Sequence, residues 1–129
     1  SVAAFVPVAK NGAYCASKAA VRALGQVLSI ELAGSGVSCT ELHPGFVESE
    51  IGQVDNAGVF HEERKDPRPK NLMWSADDAA ETMLDAVWRR KREHVFTTHG
   101  KVGAFLGQHF PGLMGFAQSR SRSKKRKKS

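Results

Sequence analysis

The chain has no run of about 18 uninterrupted apolar residues, so its sequence offers no membrane-spanning helix. Cysteine is scarce: Cys15 and Cys39 form no C-x-x-C, and no His/Cys group has metal-ligand spacing. The sequence therefore points to no metal, and two unpatterned thiols suit a reducing cytoplasm. No basic region followed by an apolar one opens the chain, which argues against a secretory signal. An initiator Met is also missing. The start at Ser1-Val2-Ala3-Ala4 is what a chain cut from something longer would show.

What is present fits one domain: 129 residues, 41% apolar and 25% charged. The net charge of +6 suggests nucleic acid at first sight. Its distribution argues otherwise. Residues 120–129 carry seven basic side chains and no acid, and without them 12 basic residues face 13 acidic ones. No aromatic residue is interleaved with those cations to stack on bases, so a nucleic-acid partner is disfavoured. Such a run also matches a nuclear-targeting patch, with low specificity.

Residues 1–8 are apolar and β-branched and read as the end of a buried strand entering a loop. Helical spacing then runs from Ala13 to Ala33 through Ala16, Ala20, Leu24, Val27, Leu28 and Leu32, and Gly34-Ser35-Gly36 stops it. Ala19, Ala23 and Ile30 lie off that stripe, which predicts cover on more than one side. Residues 37–42 read as a short strand ended by His43-Pro44-Gly45. The charged, Gly- and Pro-rich stretch 46–73 has the length of a lid or binding loop. Ser75 is the expected N-cap of a helix with Asp77 and Asp78 in its first turn. A second strand is expected at 94–97. The stretch 102–117 is apolar at helical spacing but broken by Gly107 and Pro111-Gly112, and the last ten residues read as disordered. The order of elements is that of an α/β layered domain with parallel strands and right-handed crossovers. Two strands make a poor sheet, so further strands are expected before Ser1.

Tyr14 and Lys18 stand four apart on the first helix, hence on one face and one turn apart. A phenol is a weak acid at neutral pH, and an ammonium beside it favours the phenolate, the condition for proton transfer. Ser1 offers a hydroxyl to the same substrate oxygen. By itself Y-x-x-x-K is a weak signal, equally met by an amphipathic tyrosine beside a solvated lysine.

Three motifs in order make it specific. Ser1-Val2-Ala3-Ala4, the run Asn11 to Val21 containing Tyr14-Cys15-Ala16-Ser17-Lys18, and Ser38 to Ser49 containing Pro44-Gly45-Phe46-Val47 resemble the short-chain dehydrogenase/reductase family. The likeness covers nearly all of residues 1 to about 100; Ser49 stands where that family usually has threonine. It implies the C-terminal part of a Rossmann-like doubly wound parallel sheet. In that reading residues 1–100 are the catalytic half, 101–118 an apolar helical segment and 119–129 a basic tail. The resemblance implies an NAD(P)-dependent oxidoreductase interconverting an alcohol and a ketone or aldehyde. Tyr14 would be the acid/base, Ser1 would stabilise the developing oxyanion, and Lys18 would also hold the nicotinamide ribose. Pro44, Gly45 and Val47 would form the turn under the nicotinamide, and Ser49 would reach the cofactor. Family members often pair the Ala13–Ala33 helix with a second copy, which implies a homo-oligomer of the longer protein.

The family's glycine-rich pyrophosphate turn, T-G-x-x-x-G-x-G, is absent from these residues, as is the side chain that separates NAD from NADP. The chain is thus expected to hold the chemistry without the phosphate grip, and to be inactive by itself. The alternative is a non-catalytic binding module or relic of the family. Ser17 and Cys15 read as packing residues, His43 as a group orienting its turn, and Trp74 and Trp88 as packing residues, with Trp74 able to border the substrate. The apolar residues from Phe105 to Phe116 would roof a lipophilic pocket, pack on the domain, or lie on a membrane with the basic run beside them.

Overall fold

The structure is a computed structural model, and it describes residues 1–126 apart from 56 and 67, with side chains described to residue 121. Two parallel strands, β1 (Glu41–His43) and β2 (Glu93–Val95), pair in register as Glu41 with Glu93, Leu42 with His94 and His43 with Val95. Four helices accompany them: α1 (Gly12–Glu31), α2 (Ala76–Trp88), α3 (Thr98–His109) and α4 (Pro111–Arg126). Helix α2 forms the crossover between β1 and β2, so the α/β order and the parallel pairing expected from sequence are both present.

Several elements differ from expectation. Residues 2–4 form a turn of 3-10 helix rather than the end of a strand. Ser1 caps it, its Oγ accepting from Ala3 N at 3.2 Å, and Val2 N donates to the Pro44 carbonyl at 3.1 Å. The local cap satisfies the backbone that a strand would have paired. The strands are also shorter than their apolar runs. Trp88 is exposed rather than packed, at 88%. Helix α4 continues through Arg126, into the run whose composition reads as disordered. Lysine and arginine are good helix formers, and no Gly or Pro interrupts 116–126.

Ser75 caps α2 as expected, accepting from Asp78 N at 3.1 Å. Gly34 and Gly36 follow α1 at φ of 81° and 82°, the left-handed conformation that ends a helix. Thr97 has φ of 74° although it is β-branched and 1% exposed; its Oγ1 caps α3 by accepting from Gly100 N at 3.2 Å. The apolar core is small: Phe5, Cys15, Ala79, Ala86, Phe96 and Ala104. Val21, Leu24, Val27, Leu28 and Ile30 of α1 are exposed, so the cover expected on several sides is not supplied by these residues. Twenty helical residues span about 30 Å. Two strands of three residues are too narrow to cover that length.

A cluster of charges, buried at Glu41 and His43 and open to solvent at Arg22 and Glu93, joins α1 to both strands. Arg22 Nε lies 2.6 Å from Glu93 Oε1, and His43 Nε2 lies 3.3 Å from both Glu41 Oε2 and Glu93 Oε1. Gly25 gives Glu41 its room: a Cβ there would come within 2.7 Å of the Glu41 carboxyl carbon. Phe5 closes the cluster, its ring edge-on to His43 at 4.8 Å and under the Arg22 guanidinium at 4.4 Å. The buried Nδ1 of His43 has no partner among the described residues. Both carboxylate contacts of His43 are at Nε2, so a proton on that nitrogen faces Glu41 and Glu93.

Burial holds the His43 pKa below its ordinary value, the positive Ser1 amino group pushing the same way and Glu93 opposing. Burial also raises Glu41, helped by the charge of Glu93 and opposed by Arg22. Below pH 6.5 the unfolded chain takes up a proton that folded His43 resists, so stability falls as pH drops toward the folded value. Glu41 acts oppositely: above pH 4.5 the unfolded carboxyl ionises first, and its contribution is lost as pH rises through the folded value. In urea unfolding at about pH 7.5 and about pH 5.5, His43→Gln should shrink the difference in stability between the two. An unchanged difference would assign the acid loss to other groups. Gly25→Ala should cost about 1–3 kcal/mol despite alanine's better helix propensity, read as a lower thermal midpoint.

Candidate active site

Helix α1 presents Tyr14 and Lys18 one turn apart, with the Lys18 ammonium 5.4 Å from the centre of the Tyr14 ring. Tyr14 is half exposed, and no hydrogen bond among the described residues occupies its hydroxyl. Ser17 does not face a ligand: its Oγ donates to the Tyr14 carbonyl at 2.7 Å. Cys15 anchors the preceding loop, its Sγ accepting from Val8 N at 3.4 Å. Cys15 is buried and packs as expected, whereas Ser17 is exposed and only back-bonds within its own helix.

Ser1 and Lys18 line one cavity of about 340 Å³, together with Leu24, Gly25, Thr40 and His43. Burial depresses the pKa of the Ser1 amino group, and the Lys18 charge adds to that shift. The Ser1 hydroxyl is directed to its own turn by the bond from Ala3 N. The bond from Val2 N to the Pro44 carbonyl ties this segment to the turn after β1, so Ser1, Lys18 and Pro44 come together. Tyr14 is not among the residues lining that cavity.

The turn itself is braced from α3. Gly45 packs so closely on Thr97 Oγ1 and His99 Nε2 that a Cβ would collide with both. His99 Nε2 accepts from Phe46 N at 3.3 Å, and its ring stacks on Phe46 at 5.3 Å. Val47 bridges to Trp74, with Trp74 N donating to the Phe46 carbonyl at 3.0 Å. Arg68 then fastens the far side. Its Nη1 donates to the Val47 carbonyl at 2.9 Å, its Nη2 to the Ser49 carbonyl at 2.8 Å, and both lie 3.3 Å from Ser49 Oγ. Asp66 orients that guanidinium at 2.6 Å. Val47 and Ser49 thus sit in the loop's own clamp.

His99 and Arg68 were not singled out by the sequence. His99 is one of several scattered histidines, and Arg68 lies 19 residues from the serine it holds. The Asp66-Pro67-Arg68-Pro69 run marks a turn without naming its target, and Pro67 lies outside the described residues. Beside the turn, Trp74, His99, Met73, Leu72 and Val102 line an open groove of about 650 Å³. A larger groove of about 780 Å³ on α2, lined by Leu84, Val87 and Trp88, touches none of the candidate residues. It has no tie to the chemistry.

Glu41, His43 and Glu93 bring three possible ligand atoms within 4.8 Å of one another. Arg22 already supplies the positive charge there, so the group acts as an ion-pair network. Among the described residues no helix is long and apolar enough to cross a membrane.

The model of the short chain dehydrogenase family matches residues 1–59. An uncharacterized oxidoreductase of Myxococcus xanthus is 32% identical over 120 residues, 93% of this chain and 43% of the relative. A short chain dehydrogenase of Pseudocercospora fijiensis is 46% identical over 57 residues, covering 44% of this chain and 18% of that one. The 2,3-dihydro-2,3-dihydroxybenzoate dehydrogenase of Escherichia coli is 33% identical over 84 residues, 65% of this chain and 27% of the enzyme. The chain therefore spans less than half the length of these relatives. No solved structure gives a significant match. The helix with Tyr14 and Lys18 and the turn at Pro44-Gly45 both fall inside the matched residues, and over that stretch the chain is a short-chain dehydrogenase/reductase sequence.

Proposed function

We propose that this chain is the catalytic half of an NAD(P)-dependent oxidoreductase that interconverts an alcohol and a ketone or aldehyde. The observation that carries the reading is the Tyr14–Lys18 pair on one face of α1, with Ser1, Lys18 and Pro44 drawn together by the Val2–Pro44 hydrogen bond. In the complete site Tyr14 exchanges a proton with the substrate oxygen, and the Ser1 hydroxyl turns from its cap to donate to that oxygen. Lys18 favours the phenolate and donates to cofactor hydroxyls. One feature fits such a cofactor: the Lys18 ammonium, a donor, faces the same cavity as Ser1. Bound there, a nicotinamide would supply the hydride; Pro44, Gly45, Val47 and Ser49 would line its turn. Arg68 and His99 position that turn rather than touching substrate.

Other parts of the reading rest on what the chain leaves uncovered. Exposed Val21, Leu24, Val27 and Leu28 on α1 favour further protein against this helix, either the remaining strands of a longer sheet or a second copy. With no glycine-rich phosphate turn in the sequence, the isolated chain should not hold the cofactor. Fluorescence titration with NADH and with NADPH should give no saturable binding in the micromolar range; saturation there would overturn the inactive-fragment reading. The chemistry is tested separately, by placing the chain behind the preceding residues of the Myxococcus relative and assaying carbonyl reduction across a substrate panel. Tyr14→Phe should then lower kcat about 100-fold or more, with little change in cofactor affinity. A chimera that binds cofactor, reduces substrate and tolerates Tyr14→Phe would remove Tyr14 from the mechanism.

A further inference from the structure

Helices α3 and α4 meet at a corner whose outer surface is apolar. Val102, Phe105, Phe110, Leu113 and Phe116 are each about half exposed or more, between 48% and 60%. They form one patch: the Phe105 and Phe110 rings lie 6.2 Å apart, and Leu113 and Phe116 follow Phe110 at intervals of three along α4. The corner is fixed to the domain by Gln118 Nε2, which donates to the Pro7 carbonyl at 2.8 Å. Immediately beyond it Arg120 stands 5.5 Å over the Phe116 ring, the first of seven cations and no acid between residues 120 and 128.

We propose that this corner and the basic run after it seat the protein on an anionic lipid surface. Apolar side chains next to concentrated positive charge suit the boundary between acyl chains and acidic headgroups. The rest of the chain has 12 basic and 13 acidic residues, so the attraction is confined to one end of the molecule. At physiological salt the screening length is about 8 Å, and the near-neutral body neither adds to that attraction nor opposes it. Sixteen residues of α4 extend about 24 Å and end in cations, so the helix lies in the interface instead of crossing it. A nucleic acid would use the same cations but leave the aromatic patch without a role. The proposal does not depend on the oxidoreductase reading.

The test is co-sedimentation of the full chain with vesicles of phosphatidylcholine alone and of phosphatidylcholine mixed with phosphatidylserine. Binding is expected with the mixed vesicles only, weakening as salt rises. Each of Lys124→Gln, Lys125→Gln, Lys127→Gln and Lys128→Gln should reduce partitioning about fivefold. Leu113→Ser and Phe116→Ser should each reduce it about tenfold with the charge unchanged, while circular dichroism shows helix content kept. Equal binding to neutral vesicles would overturn the proposal. So would apolar variants that bind as the unaltered chain does, since attraction would then be electrostatic alone. Tighter binding to a short RNA duplex than to the mixed vesicles would reassign the cations to nucleic acid. Light scattering in which Leu113→Ser and Phe116→Ser dissociate an oligomer without changing vesicle binding would reassign the patch to a second copy.

Discussion

The parallel pairing of two three-residue strands is the constraint on which the rest depends. Six residues cannot hold a 20-residue helix by apolar contact, and Arg22, Glu41, His43 and Glu93 supply the missing connection across α1, β1 and β2. A partly buried network of this kind gives little net stability, because desolvation of Glu41 and His43 and solvent screening of Arg22 and Glu93 offset much of the Coulomb gain. What it provides is registration. Arg22 can satisfy Glu93 only when α1 lies at one height on the sheet, and that height fixes where Lys18, one turn earlier, meets Ser1. The Pro44 turn leaves β1 immediately after His43, so the cluster and the candidate site share a strand.

Much of this was legible in the sequence. The stripe from Ala16 to Leu32 located α1, the Ser75–Asp78 cap located α2, and Pro111 marked the break between α3 and α4. Local signals of this type act within one turn of chain and can be read from order alone. The turn at residues 2–4 was not legible, because a run of valine and alanine is compatible with a strand until the hydroxyl of Ser1 is known to cap it. The clamp by Arg68 and the brace by His99 were hidden for a different reason. Their partners are set by how a 28-residue loop folds back, and nothing in the spacing of charges announces that.

The site was legible as a set of residue types and only partly as an assembly. Ser1 and Lys18 share a cavity and the Val2–Pro44 hydrogen bond ties the Ser1 turn to the end of β1, while Tyr14 stands outside that cavity. Val47 and Ser49 instead satisfy the loop's arginine, which holds the turn in shape from outside. Leu24 and Leu28 of α1 and Leu84 and Trp88 of α2 stay exposed, so neither helix is covered along its whole apolar face by the described residues.

Thr97 gathers several of these demands at one position. A β-branched residue at φ of 74° carries strain of about 1–3 kcal/mol, yet it is buried and caps α3. Glycine would relax the backbone and lose the cap; serine would keep the cap oxygen and its contact beside Gly45, but at the same strained φ. No single replacement answers both needs. The junction between β2 and α3 therefore resists simplification from either direction, and the turn at Gly45 inherits its rigidity from a residue its own sequence never mentions.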